Sequence, residues 1–178
     1  MNDTGEAARL IKEADFPEIR IWFDVVAGAY KPEVHGSRPS SLEPPVLPLT
    51  ERKKPRMPSS KTTQEVVARD GMHCRFCNGP VIPKNVVLAL SSRYPAEARW
   101  SSDAKLQHRF LQAMTLQYDH VVPHSRGGES STANIVIACA ACNYGRSSWT
   151  VEEAGLLDPR TQPIIRTAWN GLADFLTT

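Results

Sequence analysis

Residues 116–143 read LQYDHVVPHSRGGESSTANIVIACAACN, and this stretch of the 178-residue chain decides the fold. Alternating apolar and polar side chains over residues 116–120 predict a short strand. Two adjacent glycines within residues 123–131 predict a loop. Residues 135–137 form a second short apolar run, and a cysteine pair follows it at the start of a predicted helix. The stretch therefore predicts two short apolar segments that are joined by a loop and followed by a helix.

Two cysteine pairs with Cys-x-x-Cys spacing, Cys74/Cys77 and Cys139/Cys142, flank a long intervening segment. Each spacing lets two thiolates reach the same ion, and four thiolates close a tetrahedral structural zinc site that has no position for water. The 61 residues between the pairs exceed a zinc-ribbon interval, so we expect a folded insert between them. Structural zinc contributes on the order of 10 kcal/mol to folding. The alternative is a set of four buried cysteines without a metal.

The overall composition sets limits on location and on partners. The net charge is only +2, and the basic excess lies in residues 35–62, with six Lys/Arg against two Asp/Glu. No apolar run is long enough to span a membrane. The polar, acidic N-terminus does not read as a secretory signal. We therefore expect a cytoplasmic protein, in which close cysteine pairs indicate metal binding rather than disulfides.

The chain outside the cysteine region divides by composition. Residues 1–30 have the apolar spacing of one or two amphipathic helices, interrupted at Pro17. We interpret them as a helical segment that serves as a small packing or partner-binding element, and the sequence leaves open whether it contributes specificity, dimerisation or partner contacts. Residues 31–61 contain seven prolines and predict a linker. Its basic run is interpreted as a solvated tether, with a phosphate-contacting arm as the alternative; the run consists of Arg52, Lys53, Lys54, Arg56 and Lys61.

Residues 62–158 predict the main domain. Thr62 and Glu65 have capping-box spacing at the start of a helix, and Gly71 can end that helix. Residues 102–114 have helical spacing. The last 20 residues, 159–178, predict a C-terminal helix over 164–176 that packs on this domain.

The combined pattern resembles the zinc-containing branch of the HNH endonuclease superfamily. The resemblance covers roughly residues 62–158 and implies a ββα-metal core, and therefore an α+β fold with flanking helices and a Pro-rich linker. Single motifs of this kind are common, but their combination is specific. The matching motifs are Arg69-Asp70-Gly71, Cys74-Arg75-Phe76-Cys77, Asp119-His120-Val121-Val122-Pro123, Ser125-Arg126-Gly127-Gly128, Asn134-Ile135 and Cys139-Ala140-Ala141-Cys142-Asn143.

The resemblance implies roles for four polar residues. His120 matches the general base, and Asp119 matches a carboxylate ligand of the catalytic cation. Asn143 matches the third signature position, where many members have His, and would be the second protein ligand. Asn134 matches the middle asparagine, which braces the loop that carries the base. The intervals of fourteen and nine positions from His120 to Asn134 and on to Asn143 look like family spacing.

These residue types suit metal-assisted hydrolysis of a phosphodiester. A neutral imidazole can accept the proton of the attacking water at cellular pH. One carboxylate and one amide oxygen suit Mg²⁺ or Mn²⁺. We therefore expect an endonuclease that acts on DNA, with RNA as an open alternative because no residue pattern reads a 2′-hydroxyl. The competing hypothesis is a non-catalytic zinc module that binds nucleic acid or a protein partner.

Several basic residues are candidates for contact with phosphate. Arg146 follows Asn143 by one helical turn, and its guanidinium could hold a phosphate oxygen. His124 has three interpretations, as a phosphate contact, as a group near the metal site, or as a plain loop residue, and the last is favoured. The complete set of candidate nucleic-acid contacts is Arg146, Arg126, His124, Lys53 and Lys54.

Overall fold

A computed structural model describes residues 4–27 and 45–177. Residues 28–44, which include the first fourteen residues of the predicted Pro-rich linker, lie outside the described residues, so the structure describes the linker only over residues 45–61. The helices are α1 (Thr4–Ala14), α2 (Pro17–Ala27), α3 (Ser60–Asp70), α4 (Lys84–Arg93), α5 (Arg109–Met114) and α6 (Ala140–Arg146), and the strands are β1 (Leu116–His120) and β2 (Ile135–Cys139). Short 3-10 turns lie at Ala104–Leu106, His124–Arg126 and Ala173–Leu176.

The centre of the fold is a ββα unit. Strand β1 pairs antiparallel with β2, and the register sets Leu116 opposite Cys139 and His120 opposite Ile135. Every residue of β2 is buried, as expected for a strand covered on both faces. Helix α6 follows at once, because the Cys139 thiol accepts a hydrogen bond from the Cys142 N–H and caps the helix. Helices with a two-stranded antiparallel sheet make an α+β fold, which confirms the predicted class.

The first cysteine pair is attached to this unit through main-chain contacts. The Arg75 N–H donates to the carbonyl of Ile137 at 2.8 Å, and the Cys74 N–H donates to Gly79 at 2.8 Å. Helix α3 precedes the pair and ends at Gly71, whose φ of 71° suits glycine. The cap of α3 is Ser59, which accepts from the Thr62 N–H, so the predicted capping role of Thr62 is wrong.

Helix α3 is joined to β2 by a buried ionic network that the sequence motifs did not explain. Asp70 is fully buried, pairs with Arg69 at 2.7 Å, and accepts from the Ile137 N–H at 3.0 Å. Arg69 also donates to the carbonyls of Thr132 and Ile135. The Arg69-Asp70 motif is therefore structural, because it satisfies main-chain groups of β2 and of the loop before it.

The N-terminal helices pack on the main domain. Helix α2 contacts α5 and α6 and buries Ile19 and Phe23. Helix α1 is tied to the start of α5, since the His108 ring nitrogen lies 2.7 Å from the carbonyl of Ile11. Pro17 begins α2, which agrees with the predicted break between two helices. Across the described residues, the structure has no helix both long enough and apolar enough to cross a bilayer.

The predicted C-terminal helix over residues 164–176 is wrong. The segment is irregular, apart from the 3-10 turn, and other parts of the chain take up its polar groups. Arg75 donates to the carbonyls of Pro159, Gln162 and Pro163, and the Trp169 indole N–H donates to Val81. Within the segment, Gly171 and Leu172 have positive φ values of 72° and 63°, which an α-helix does not contain, so the amphipathic pattern is overridden.

Two further predictions need correction. The helical spacing of residues 102–114 breaks at His108, which caps α5, so only residues 109–114 are α-helical. The described end of the predicted linker, residues 45–57, is exposed at every residue except Leu47 and Arg52, but it is not free, because it is hydrogen-bonded along the loop between β1 and β2. The Leu47 N–H donates to Ser125 at 2.7 Å, and the Ser130 hydroxyl lies within hydrogen-bond distance of two carbonyls of this segment.

Candidate active site and zinc site

The four cysteines converge in space. Their Sγ atoms all lie within 4.8 Å of one another, and the Cys77 and Cys139 sulfurs are 3.8 Å apart. A zinc ion with Zn–S bonds of about 2.3 Å would place sulfurs about 3.8 Å apart along a tetrahedral edge. The cluster therefore fits a structural zinc ion that joins the turn before α4 to the start of α6.

A cleft of about 980 Å³ lies beside the ββα unit, and its lining brings together three of the predicted catalytic residues. These three are Asp119, His120 and Asn143, and the predicted nucleic-acid contacts His124 and Arg146 also line the cleft. Polar and cationic groups from the 45–57 segment, β1, the loop after it and α6 share this surface; among them are Arg52, Arg56, Lys84, His124, Ser125, Tyr144 and Ser148.

His120 lies at the end of β1, and one of its ring nitrogens is within hydrogen-bond distance of Ser130. Its Nε2 lies 3.0 Å from the Ser130 hydroxyl oxygen, and that hydroxyl lies 2.9 Å and 2.8 Å from the carbonyls of Pro55 and Arg56. A carbonyl oxygen can only accept, so two of them at this distance favour a hydroxyl that donates to a carbonyl, and in that arrangement the Ser130 oxygen accepts from Nε2–H. Nδ1 then carries the lone pair of the neutral ring and is the nitrogen that can take a proton.

The surroundings keep His120 neutral. Burial, together with the nearby charges of His124, Arg56 and Arg146, lowers the pKa of His120 to about 4. An imidazole that is neutral at cellular pH can act as a base, although a base with a low pKa binds a proton less strongly.

Asp119 is adjacent in sequence but faces a different environment. Arg146 donates to both carboxylate oxygens, at 2.6 Å from Nη2 and 3.1 Å from Nε. Burial raises the pKa of Asp119 to about 6, and Arg146 opposes that rise. Asp119 is buried against Arg146, although it borders the cleft, whereas the next residue, His120, is partly exposed there.

The predicted role of Arg146 as a phosphate contact is wrong. Its side chain is 2% exposed, and all five of its N–H donors have acceptors. Beyond Asp119, the acceptors are the carbonyls of His120, Val121 and Trp149. Arg146 therefore fixes the main chain at the end of β1 and has no donor left for a phosphate.

Asn143 projects from α6 into the cleft. Within the described ranges of the chain, its side-chain amide has no hydrogen-bond partner, so its oxygen is available to a ligand. Of the two Asp119 oxygens, one keeps a lone pair beyond its bond to Arg146, because the carboxylate also accepts from the His120 N–H. Both oxygen types suit a hard cation, so the donor set fits Mg²⁺ or Mn²⁺ in kind, while the neighbouring guanidinium cancels much of the carboxylate charge.

Asn134 and Gly128 shape the loop after β1. The Asn134 amide accepts from the Val122 N–H at 2.8 Å and donates to the carbonyls of Val122 and Glu129. These are the bracing contacts that the resemblance implies for the middle asparagine. Gly128 lies so close to this brace that an added Cβ would be 1.8 Å from the Val122 carbonyl oxygen. A side chain at position 128 would therefore displace the loop.

The remaining predicted contacts divide between the cleft and other partners. His124 lines the cleft, with its ring centroid 5.5 Å from that of His120 and its Nε2 at 2.6 Å from the Lys53 carbonyl. Arg126 instead pairs with Glu153 at 3.0 Å, and Lys53 with Glu129 at 3.5 Å. Lys54 is exposed and is not part of the cleft lining.

The cations that the structure adds to the cleft are Arg52, Arg56 and Lys84. The first two belong to the basic run noted in the sequence, so a signal for them existed, although the sequence could not tell which members face the cleft. Lys84 begins α4, and no sequence pattern marks it. Sequence reasoning also missed Ser130, the partner of His120.

Comparison with known families identifies the class. Residues 106–148 match the family model described as HNH endonuclease, and this segment contains Asp119, His120, Asn134 and Asn143. The resemblance to the HNH superfamily is thereby confirmed, and a nuclease-type function follows from it in general terms. Searches of curated proteins and of solved structures gave no match.

Proposed function

We propose that the protein is a metal-dependent endonuclease that hydrolyses phosphodiester bonds in DNA. The observation that carries this proposal is the cleft in which the free Nδ1 of a neutral His120 and the unpaired amide of Asn143 lie on one wall. A binding module has no use for a desolvated base beside an unpaired ligand oxygen.

The residues of the chain divide the chemical work. His120 takes the proton of the attacking water on Nδ1, while Ser130 holds Nε2 and fixes the ring. Arg146 holds the carbonyl of His120 and so positions the residue. A divalent cation, Mg²⁺ or Mn²⁺, held by oxygens of Asp119 and Asn143, would polarise the phosphate and stabilise charge on the leaving oxygen.

The cleft charges support a nucleic-acid substrate. Arg52, Arg56 and Lys84 add positive charge to its wall, and phosphate contacts supply most sequence-independent affinity for nucleic acid. Phosphate contacts alone do not separate DNA from RNA. We propose duplex DNA as the substrate, and the assay below includes single-stranded DNA and RNA so that either can replace it.

The test is nicking of supercoiled plasmid with added Mg²⁺ or Mn²⁺. Wild type should cut, and His120→Ala should lose about 10²–10⁴-fold in rate, the usual cost of removing a general base. Asn143→Ala should also lose activity, while Asn85→Ala, an exposed amide on α4, should not. Bound zinc and melting temperature, measured on each variant, separate loss of chemistry from loss of fold. Undiminished cutting by His120→Ala would overturn the proposal.

A second candidate rests on the pairing of Asp119 with Arg146. That ion pair neutralises the proposed metal carboxylate, as it would in a zinc module that binds nucleic acid without cutting it. The same preparation decides between the two functions. Retained DNA binding with no cutting by wild type in either metal, on any of the three substrates, would favour the binding module.

A further inference from the structure

Residues 46–57, here called the strap, lie along the loop that carries the candidate base. At one end the Leu47 N–H donates to Ser125, and the Leu47 side chain lies against Gly127. At the middle the Lys53 carbonyl meets His124 at 2.6 Å, and the Lys53 ammonium pairs with Glu129. The strap thus contacts the loop along most of its length, although about 70 residues of sequence separate the two.

The strap also contacts the candidate base indirectly. The Ser130 hydroxyl donates to the carbonyl of Pro55 or Arg56 and accepts from His120 Nε2. If the hydroxyl lost these acceptors, it could donate to the ring instead and favour the other tautomer, with the lone pair on Nε2. The strap carbonyls therefore select the tautomer that leaves Nδ1 free.

The side chains of the strap divide between two environments. Arg52 and Arg56 line the cleft, whereas Lys53 and Lys54 do not. Within the described part of the chain, Arg56 has no carboxylate within 4.0 Å, and its guanidinium is exposed. An unpaired arginine on a cleft wall suits bidentate contact with a phosphate.

We propose that the strap is a working part of the active site, in which Ser130 and the carbonyls of residues 55–56 orient His120 while the side chain of Arg56 binds a substrate phosphate. The proposal rests on the endonuclease function given above. Ser130 is a positioning residue, since it acts through His120, and Arg56 is a substrate-binding residue. The strap lies outside residues 106–148, so the family match assigns it no role.

The orientation part is tested with Ser130→Ala, Ser130→Thr and Ser131→Ala, compared with wild type in the nicking assay. Loss of the hydroxyl frees the ring, so kcat should fall about tenfold to a hundredfold in Ser130→Ala with little change in KM. Ser130→Thr keeps the hydroxyl and should recover most of the rate. Ser131→Ala removes a hydroxyl one position away and should behave as wild type. Equal rates for Ser130→Ala and Ser131→Ala would overturn this part.

The binding part is tested with Arg56→Ala, which removes the guanidinium but keeps the carbonyl. KM should rise several-fold, by a larger factor than kcat falls. Affinity for duplex DNA without added divalent cation should also become less dependent on salt, with the slope of log K against log salt smaller by about 0.9 for one lost phosphate contact. Lys12→Ala removes a charge on α1, outside the cleft, and should leave that slope unchanged.

The outcomes separate this proposal from the endonuclease proposal. Absence of cutting by wild type contradicts the endonuclease, and the orientation of His120 by the strap falls with it. Cutting by wild type, with Ser130→Ala and Arg56→Ala both unimpaired, contradicts the strap alone. Zinc content and melting temperature must match wild type in each variant. A different result is a fall of both in Ser130→Ala but not in Ser130→Thr, with a normal cleavage rate per folded molecule. That result would show that Ser130 is structural and that the orientation role is wrong.

Discussion

The zinc-linked ββα core and the two segments that lie against it, the strap and residues 159–177, are held in place in different ways. In the core, β1 and β2 exchange regular hydrogen bonds, and four sulfurs fit one ion. The outer segments lack regular structure apart from the turn at Ala173–Leu176, and side chains of the core hold their carbonyls. A core with regular secondary structure can thus position long irregular segments. The strap completes the wall of the cleft, and residues 159–177 complete the packing of the core.

The strongest test of the core is removal of its metal. Cys74→Ser should lose bound zinc and unfold the domain, because structural zinc supplies on the order of 10 kcal/mol in small domains. The measurements are metal content and thermal melting followed by circular dichroism. Cys74→Ser protein that keeps its zinc and melts as wild type would contradict the zinc site, and with it the comparison between core and outer segments.

The next largest effect is expected at Arg146. Arg146→Ala leaves the buried carboxylate of Asp119 without its partner, so the free energy of unfolding should fall by about 3–5 kcal/mol. Denaturant titration measures this loss. The matched double variant with Asp119→Asn should lose less stability than Arg146→Ala alone, because no unpaired charge remains. Equal losses of unfolding free energy in the two variants would show that the broken ion pair does not cause the loss of stability.

A smaller and more local effect is expected at Arg75, which joins the core to the C-terminal segment. Arg75→Ala leaves the carbonyls of Pro159, Gln162 and Pro163 without their donor and should cost about 2–3 kcal/mol. Trypsin should then cut faster at Arg160 and Arg166. The exposed Arg99→Ala serves as the control and should digest as wild type. Unchanged cleavage in Arg75→Ala would mean that other contacts hold this segment.

The smallest effect concerns the charge of His120, to which both the core and the strap contribute. Because burial and neighbouring cations lower the pKa of His120 to about 4, its ring should stay neutral from about pH 8 to about pH 5.5 in NMR titration of the side chain. The pKa of His120 shifts downward because burial and the neighbouring cations both disfavour the charged imidazolium.

Variants sharpen this measurement. His124→Ala should raise the pKa of His120 more than Arg56→Ala does, because the charge of His124 is the larger of the two influences. A larger rise of the His120 pKa in Arg56→Ala than in His124→Ala would mean that the strap contributes more than His124 to the electrostatic lowering of this pKa. A His120 ring that titrates near its ordinary pKa of about 6.5 would contradict the buried setting altogether.

Sequence patterns predicted the regions whose structure is set by near neighbours. The strand at residues 116–120 follows from alternation, the helix after Cys139 from the cysteine cap, and the paired spacing of the thiols from the geometry of zinc. The helix predicted over residues 164–176 failed because its amphipathic pattern gives no information about Arg75, a residue about 90 positions earlier that binds the carbonyls just before it.

The residues of the candidate site also divide into those that local sequence patterns predicted and those that depend on distant contacts. His120, Asn134 and Asn143 were identified from motif spacing, and the structure places all three at the ββα unit. The role given to Arg146 was wrong because helical spacing puts a residue on a face but does not show whether a carboxylate is already there. Ser130 and the carbonyls of Pro55 and Arg56 drew no prediction of contact with the base, since nothing local links a Pro-rich segment to a loop about 70 residues later.

By itself the sequence determined the α+β class and the two cysteine pairs that fit one zinc ion, and it marked His120 and Asn143 as candidates for a base and an amide ligand, because each depends on spacing within one element or on the chemistry of a residue type. Only the tertiary structure decided which nitrogen of His120 is free, which cations face the cleft, and which charge Arg146 neutralises. These properties depend on contacts between segments distant along the chain, and burial and hydrogen bonding at those contacts follow from packing.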